Sequence, residues 1–400
     1  MKILYVAGGL AILPGVRKKV VAQVKAFKEN NCEPFLFLYD FSGVREVSRT
    51  YSFLVGEGIS QYKTFSPQKT RGIVNTFMRR KRLFYEVLRC VEESACDVVF
   101  FRYPMGDPFF CSFLDKVKKP VVTEHQCKEL IEISLSGKGI IYWSERLFRG
   151  AIRKKLSGMV GVTQEITDYQ LALAGVSLHR DKGITIGNGV DVQSLPLRCI
   201  PKGLEEDSEL HLLFVAHVSL WHGVDRLIRG LAGFCAGDVG CSGHKKIVLH
   251  IVGQGSAVPE LETLVKKHGL EKRVFFHGPL YGPDLDAMFD RCHIGVGSLG
   301  VHRKGLRETS ELKAREYCAR GIPFITAFGD PDFDETFPYI KKFPVSEKAI
   351  DMLEVRSFAE RVLQDPEHPQ KMREYAEKTL NWTPKMKKLV SFFGKILKNE

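Results

Sequence analysis

The chain has 400 residues, of which 44% are apolar and 26% charged, so we expect a globular protein with more than one hydrophobic core. Its formal net charge of +12 favours an anionic partner, such as a membrane surface or a phosphorylated substrate, although a solvated basic face with no partner is also open. Nucleic acid is disfavoured because the basic clusters lack interleaved aromatic residues. The apolar runs are shorter than a transmembrane helix needs, and scattered cysteines without a Cys-x-x-Cys pair fit a cytoplasmic protein.

The first half of the chain alternates between predicted strands and helices. Strands are expected at 3–7, 33–39, 97–101, 120–123, 159–162 and 183–186, with helices at 15–30, 73–95, 141–156 and 164–173. This order predicts a parallel, doubly wound α/β sheet, in which ligands bind beyond the carboxyl ends of the strands. Arg102, Glu124 and His125 come at such ends and are candidate substrate contacts, although His125 could equally be a structural histidine.

The predicted helix at 141–156 is basic and amphipathic. Its apolar set includes Leu147 and Phe148, and its basic set includes Arg146 and Arg149. A helix of this kind can lie on an anionic bilayer. The alternative is a helix that packs on its own domain and turns its basic side to solvent.

The second half begins after a turn at 187–191 and repeats the strand–helix pattern. Strands are expected at 211–216, 246–252, 273–277, 293–296 and 324–327. We therefore predict two Rossmann-like lobes that face a central cleft, with domains at 1–190 and 191–375. The remaining segment, 376–400, should be helical and interrupted at Trp382-Thr383-Pro384.

The stretch 305–323 is the strongest candidate for a binding site. Glu308 lies in a polar loop, Ser310 is a predicted N-cap, and Glu316 lies eight positions after Glu308 within the following helix. A helix N-terminus attracts phosphate, and carboxylates can accept hydrogen bonds from sugar hydroxyls. The pattern predicts a nucleotide-sugar site.

Several motifs together resemble the two-lobe (GT-B) glycosyltransferases, most closely the retaining group called family 4. They are the glycine turn near Gly15, Asn188-Gly189-Val190-Asp191, Gly253-Gln254-Gly255, and the Glu308–Glu316 pair followed by Gly321-Ile322-Pro323. They occur in the family's order and span most of the chain. The segments WHGVDRL and LGVHRKGL resemble segments of glycosyltransferases of bacterial polysaccharide assembly.

The resemblance implies a role for each matching position. Glu308 would face the donor sugar, Glu316 the nucleotide ribose, and the terminal segment would return to the first lobe. The implied catalytic residues are Glu308, His125, Lys304 and Arg303. The implied donor-binding residues are Glu316, Ser310, Glu311, Leu312, Lys313, His217, His222, Gly223, Phe275 and His277, and the acceptor-side residues are Gly15, Arg102 and Glu124.

One departure from the family pattern concerns the leaving diphosphate. The family commonly has an arginine and a lysine where this chain has His217 and His222. A histidine is only partly charged at neutral pH, whereas fixed cations stabilise a leaving phosphate strongly. Either His222 is protonated in the complex, or Arg303, Lys304 and Lys313 supply the charge.

The expected partners are a nucleotide-sugar donor and a glycan or lipid-linked glycan acceptor, with a possible peripheral position at the inner membrane surface. No metal or other cofactor is expected, because the Asp-x-Asp patterns at 284–286, 330–332 and 332–334 lie at a helix start or in turns, where aspartate is common. A nucleotide-sugar 2-epimerase, a sugar phosphorylase and a non-catalytic sugar-nucleotide-binding subunit are the alternatives.

Overall fold

A computed structural model of the chain describes residues 1–9, 14–41, 53–67, 72–135, 137, 139–175, 180–201, 209–237 and 246–399. The chain forms two compact units. Unit 1 contains Met1–Gly189 together with Trp382–Glu400, and unit 2 contains Val190–Asn381. The chain therefore returns to unit 1 at Trp382, later than the expected boundary at residue 376.

Unit 1 is built on a seven-stranded parallel sheet in the order β3-β2-β1-β4-β5-β6-β7. Its strands are β1 (Lys2–Gly8), β2 (Glu33–Tyr39), β3 (Tyr62–Phe65), β4 (Val98–Arg102), β5 (Val121–His125), β6 (Gly158–Gly161) and β7 (Gly183–Thr185). Its helices are α1 (Pro14–Glu29), α2 (Phe53–Gly56), α3 (Ile73–Ser94), α4 (Pro108–Lys116), α5 (Glu129–Leu135), α6 (Gly139–Lys155), α7 (Gln164–Leu173) and, from the end of the chain, α14 (Trp382–Asn399).

Both faces of this sheet are buried. Tyr5 and its neighbours on one face pack against α1 and α14, whereas Leu4 and its neighbours on the other face pack against α3, α4 and α6. The ring of Phe393 in α14 stacks on Phe27 in α1, with centroids 6.3 Å apart. The last helix therefore completes the core of the first unit.

Unit 2 is built on a six-stranded parallel sheet in the order β10-β9-β8-β11-β12-β13. Its strands are β8 (Leu210–Val215), β9 (Ile247–Val252), β10 (Val274–Gly278), β11 (Ile294–Val296), β12 (Phe324–Thr326) and β13 (Ile340–Lys342). Its α-helices are α8 (Val224–Ala236), α9 (Val258–Lys267), α10 (Gly282–Arg291), α11 (Leu312–Arg320), α12 (Met352–Leu363) and α13 (His368–Tyr375). Two short 3-10 helices, Leu220–His222 and Val301–Lys304, follow β8 and β11.

The helix break expected at Trp382-Thr383-Pro384 lies one residue earlier. Asn381 is extended, with ψ 144°, and α14 begins at Trp382. Pro384 thus falls in the first turn of α14, where its missing N–H removes no intrahelical hydrogen bond. The prediction of a break was right, but proline does not cause it.

The two units confirm the expected α/β class with two doubly wound parallel sheets. Their sheet orders reverse direction beside β1 and β8, as in other doubly wound folds. Among the described residues, no helix is both long enough and apolar enough to cross a membrane.

Candidate functional site

The candidate anion site of unit 2 lies at the start of α11, which follows the carboxyl end of β11. The N-cap of α11 is Glu311, whereas the sequence had suggested Ser310. Ser310 is buried, and the Glu311 carboxylate makes no capping bond but accepts a hydrogen bond from the Ser298 N–H at 3.0 Å. First-turn amides have no acceptor within their own helix, so this end of α11, from Leu312 onward, can bind an anion.

Lys313 places an amine in that same first turn. Its side chain is only 10% exposed, and its Nζ lies 5.2 Å from the Phe214 ring centroid. It donates to Ser298 Oγ at 2.9 Å and lies 3.5 Å from Glu311 Oε2. Burial lowers the pKa of Lys313, while the nearby Glu311 carboxylate opposes that shift. Packing and hydrogen bonds therefore fix the Lys313 amine beside the helix end.

His222 also packs against Phe214 and is uncharged. Its Nδ1 accepts a hydrogen bond from the Ser219 N–H at 3.1 Å, and its ring centroid lies 5.4 Å from that of Phe214. Burial lowers the pKa of His222 well below its ordinary value, and the positive charges of Lys313, Lys304 and His217 lower it further. The proton of the neutral ring is therefore on Nε2, which can donate a hydrogen bond but supplies no charge. His217, just after β8, is exposed.

A glycine contact brings the 3-10 helices Leu220–His222 and Val301–Lys304 together. Gly223 has φ 66°, and a Cβ at this position would lie 2.6 Å from the backbone nitrogen of Gly300. This close approach puts the second 3-10 helix against the first, and Lys304 Nζ then lies 4.7 Å from the centroid of the Trp221 ring. Lys304 is thereby placed near His222 and Lys313, whose pKa values its charge lowers.

Arg303, expected to help neutralise the diphosphate, forms ion pairs with two carboxylates of unit 2. Its guanidinium binds both oxygens of Asp225, at 2.8 and 2.9 Å, and also Glu347, with Nε 3.0 Å from Oε1. These bonds raise the pKa of Arg303 and lower that of Glu347 to about 2, so Arg303 and Glu347 are both charged at neutral pH. Lys304 and Lys313 are thus the better cations for an external phosphate.

Glu308 and Glu316 of the 305–323 stretch are both half-buried. Glu308 forms a backbone bridge with Gly329, and the Thr309 N–H donates to the Gly329 carbonyl at 3.0 Å. Glu316 accepts from Arg320 Nε at 3.1 Å, one helical turn away. Glu308 is therefore held in a fixed loop before α11, and Glu316 on the helix itself.

Four of the five carboxylates in the Asp-x-Asp patterns, all except Asp284, are engaged in contacts within the protein. Arg315, completely buried, binds both Asp330 and Asp332, while Arg320 binds Asp286 at 2.7 Å. Asp334 Oδ1 accepts from the Thr336 N–H at 2.9 Å. Among the described residues, no group of three or more histidine, cysteine, aspartate or glutamate side chains is arranged to hold a metal ion.

A chain of four histidines, called here the histidine ladder, crosses unit 2 and was not foreseen from the sequence. It consists of His293, His211, His250 and His277, which lie at four neighbouring strands, from β11 to β10. The His211 N–H donates to His293 Nδ1 at 3.0 Å, His211 Nδ1 lies 3.0 Å from His250 Nε2, and His250 Nδ1 lies 2.9 Å from His277 Nε2. The ladder ends at His277, beside the half-exposed Phe275.

In unit 1, the candidate His125 is fully buried at the end of β5. Its Nδ1 lies 2.5 Å from Glu129 Oε1, and its Nε2 lies 2.9 Å from Thr123 Oγ1. Burial lowers the pKa of His125, whereas Glu129 opposes that shift. Both ring nitrogens thus have partners inside unit 1. Arg153 forms ion pairs with Glu129 and Glu145 in the same buried cluster. In the sequence, the only signal of this cluster was the four-residue spacing of His125 and Glu129.

The acceptor-side candidates lie at two places in unit 1. Arg102 and Glu124 are paired in register at the carboxyl ends of β4 and β5. Glu124 is buried and forms an ion pair with Lys19 at 2.9 Å. Gly15 is exposed in the first turn of α1, the helix that also carries Lys19. The ion pair with Lys19 thus joins Glu124 to α1. Arg102 is only partly buried, in contrast to Glu124.

Residues 200–379, nearly all of unit 2, match the family model described as glycosyl transferases group 1. Unit 2 is therefore similar to the glycosyltransferase domains that this model describes. The matched region contains the α11 site, His222, Lys304 and both glutamates, so the match supports glycosyl transfer as the activity. A search of curated proteins found no match to the chain.

Solved structures resemble the whole chain and show that it has the glycosyltransferase GT-B fold. One is the lipopolysaccharide outer core galactosyltransferase WaaB in its apo form, with TM-score 0.64, 15% identity and coverage of 99% of this chain and 100% of that one. Another is the sucrose-phosphate synthase of Thermosynechococcus elongatus, with TM-score 0.66, 12% identity and full coverage of both chains. A third is the pneumococcal O-GlcNAc transferase GtfA in complex with UDP and GlcNAc, with TM-score 0.63, 10% identity and 99% coverage of both.

Proposed function

We propose that the protein transfers a hexosyl group from a nucleoside diphosphate sugar to a hydroxyl acceptor, with retention of the anomeric configuration, in polysaccharide or glycoconjugate biosynthesis. The observation that carries this proposal is the start of α11, where first-turn amides, the Lys313 amine and the Nε2–H of His222 lie around one Phe214 ring. Hydrogen-bond donors and a cation held in place before the reaction suit a leaving diphosphate.

Within this proposal, each part of the donor has its own contacts. The amides from Glu311 to Lys313 bind the diphosphate, and Lys304 adds a second positive charge. Glu308 accepts hydrogen bonds from the donor sugar and Glu316 from the ribose. The base lies along β10 at Phe275 and His277, where Phe275 is 40% exposed and therefore offers a ring for stacking.

The transfer needs no protein nucleophile in this scheme. The bond between the anomeric carbon and the diphosphate oxygen breaks, and the acceptor oxygen bonds to that carbon from the same face. The acceptor proton passes to the leaving phosphate oxygen, so the products are the glycoside and the nucleoside diphosphate. The negative charge that develops on the leaving group is stabilised by Lys313, Lys304 and the α11 amides. No metal is required, because these groups replace it.

We assign acceptor contacts to unit 1, at Gly15, Arg102 and Glu124, and propose a glycan or lipid-linked glycan as the acceptor. We also propose a cytoplasmic location, because nine described cysteines carry free thiols. Within unit 1, the Glu129 contact orients His125, whose ring lies 4.5 Å from that of Tyr103, centroid to centroid.

The test uses the purified full chain with a panel of UDP-, GDP- and ADP-sugars. We expect one donor to bind in calorimetry and to be hydrolysed slowly without acceptor, equally fast with and without EDTA. Once an acceptor is supplied, NMR of the glycoside product should show the anomeric configuration of the donor. If no member of the panel binds, the proposal is wrong.

Glu308→Gln separates a transferase from a subunit that only binds nucleotide sugars. This variant should keep donor affinity within a few-fold and lose most turnover. Glu271→Gln, at an exposed position between α9 and β10, is the matched control and should behave as the unmodified chain. Donor binding by the unmodified chain with no turnover for any acceptor would instead support the binding subunit.

A further inference from the structure

The outward face of α6 in unit 1 is apolar. Ile140, Trp143 and Leu147 follow one another at spacings of three and four residues, and are 44%, 59% and 72% exposed. Glu145 and Ile152, on the opposite side of the helix, are fully buried. The solvent side that the sequence suggested to be basic therefore carries three large apolar side chains, which we call the α6 stripe.

Basic side chains accompany the stripe. The Arg146 guanidinium lies 5.6 Å from the Trp143 ring centroid, and Lys154 is exposed near the end of the helix. The only acidic residue of α6 is Glu145, and it is buried against Arg153 and Tyr103. The exposed surface of the helix thus combines apolar and positive groups without a negative one.

The helix α3 repeats this combination. Val74 and Met78 are 73% and 45% exposed, and the next turn exposes Lys81 and Arg82. Between Ile73 and Leu83 the helix has no acidic residue. Its surface therefore resembles that of α6 in both polarity and sign of charge.

The two helices face the same way. Leu83 of α3, Phe110 of α4 and Ile152 of α6 all pack into the core cluster on one face of the sheet, and α4 contacts both neighbours. Because the three helices form one layer, their outward sides point away from the sheet in a common direction. Crossover helices of a parallel sheet begin at its carboxyl edge, so Val74 and Ile140 lie toward the edge that carries Arg102 and Glu124.

We propose that the α6 stripe, with Val74 and Met78 of α3 and the basic residues Lys81, Arg82 and Arg146, docks unit 1 on an anionic lipid bilayer. Tryptophan favours the headgroup region, apolar side chains enter the acyl boundary, and lysine and arginine attract anionic lipids. A partner protein of complementary shape would usually meet polar rim residues of both signs, whereas the charged residues exposed on α6 and between Val74 and Arg82 of α3 are all basic; Asp115, exposed on α4, is ion-paired with Lys155. Docking would bring the Arg102 and Glu124 edge close to lipid headgroups; that this edge receives a lipid-linked acceptor rests on the proposed function.

The test is co-sedimentation of the full chain with vesicles of phosphatidylcholine alone or with one third phosphatidylglycerol. We expect binding to the anionic vesicles that weakens as salt is raised, and little binding to the neutral ones. Trp143→Ala and Arg146→Glu should each weaken binding about tenfold or more. Leu353→Ala, which removes a similarly exposed side chain of α12 in unit 2, should leave binding unchanged. Brominated lipids should quench tryptophan emission of the unmodified chain and not that of Trp143→Phe.

Each other outcome overturns the proposal. Absence of binding to anionic vesicles, or binding that both variants retain in full, means that this face does not dock on lipid. If light scattering shows a dimer that Trp143→Ala converts to a monomer, this face binds a second copy of the chain instead. Donor binding measured on the same variants is independent: if docking fails while nucleotide sugar binds, the transferase proposal stands, and if docking holds while no nucleotide sugar binds, only the transferase proposal falls.

Discussion

The histidine ladder should make unit 2 lose stability in mild acid. Burial, together with the neighbouring His211, Arg291 and His277, lowers the pKa of His250 to about 3. An unfolded histidine has a pKa of about 6.5, so the unfolded chain binds a proton first as the pH falls. The stability is therefore full above about pH 6.5 and decreases between that pH and about 3.

The size of the effect follows from the two pKa values. At pH 5.5 an unfolded histidine with a pKa of about 6.5 is about ten-elevenths protonated, which stabilises the unfolded state by about 1.4 kcal/mol. At pH 7.5 protonation stabilises the unfolded state by only about 0.1 kcal/mol. Folded His250 is 1% exposed and stays neutral at both pH values. His250 alone should thus lower the free energy of unfolding by about 1.3 kcal/mol between these pH values.

The assay is hydrogen–deuterium exchange of the β8 and β9 amides at pH 7.5 and 5.5, corrected for the intrinsic exchange rates. Exchange of these strands reports the opening of unit 2 even if unit 1 unfolds separately. In His250→Gln the difference in opening free energy between the two pH values should shrink by about 1.3 kcal/mol. His268→Gln, at an exposed position after α9, should leave the difference unchanged. If His250→Gln keeps the full pH dependence, the reasoning is refuted.

Three further predictions concern the site and the two cores. Lys313→Met should lower kcat about 10²- to 10³-fold through loss of a charge at the leaving group, whereas the exposed Lys267→Met should not; steady-state kinetics with the donor identified above would decide. Arg315→Ala should destabilise unit 2 by about 3–5 kcal/mol, because it leaves two carboxylates without their buried cation; an unchanged unfolding midpoint would contradict this. Phe393→Ala should cost unit 1 about 3–5 kcal/mol, measured as faster exchange of α1 amides, and unaltered exchange would show that α14 is dispensable for that core.

The central strands could be predicted from the sequence because they are buried on both faces. β1 holds the apolar run Ile3–Ala7, and β9 is apolar except for His250; both were expected within a residue or two of their observed bounds. The edge strands β3 and β13 were not expected. Each is short, only partly buried and contains lysine, so neither has a strong hydrophobic pattern.

The candidate site was predictable in its location and less so in its chemistry. The helix after Glu308 was expected, but its N-cap was expected at Ser310 and is found at Glu311. The Glu311 carboxylate accepts a hydrogen bond from Ser298, which lies on another segment of the chain. The engagement of Arg303 by Asp225 and Glu347 joins residues 78 and 44 positions apart. Contacts of this kind arise from tertiary packing and have no local signal in the sequence.

The return of the chain to unit 1 at α14 sets an order for folding during synthesis. Unit 2 is continuous, so all of its strands have emerged from the ribosome once Asn381 has passed the exit. Unit 1 at that moment still lacks Phe393 and the other α14 side chains, and the apolar side of α1 around Phe27 faces water. The half of the protein that is made first therefore completes its core last, and the apolar surface that α14 covers stays open to aggregation while unit 2 is being translated.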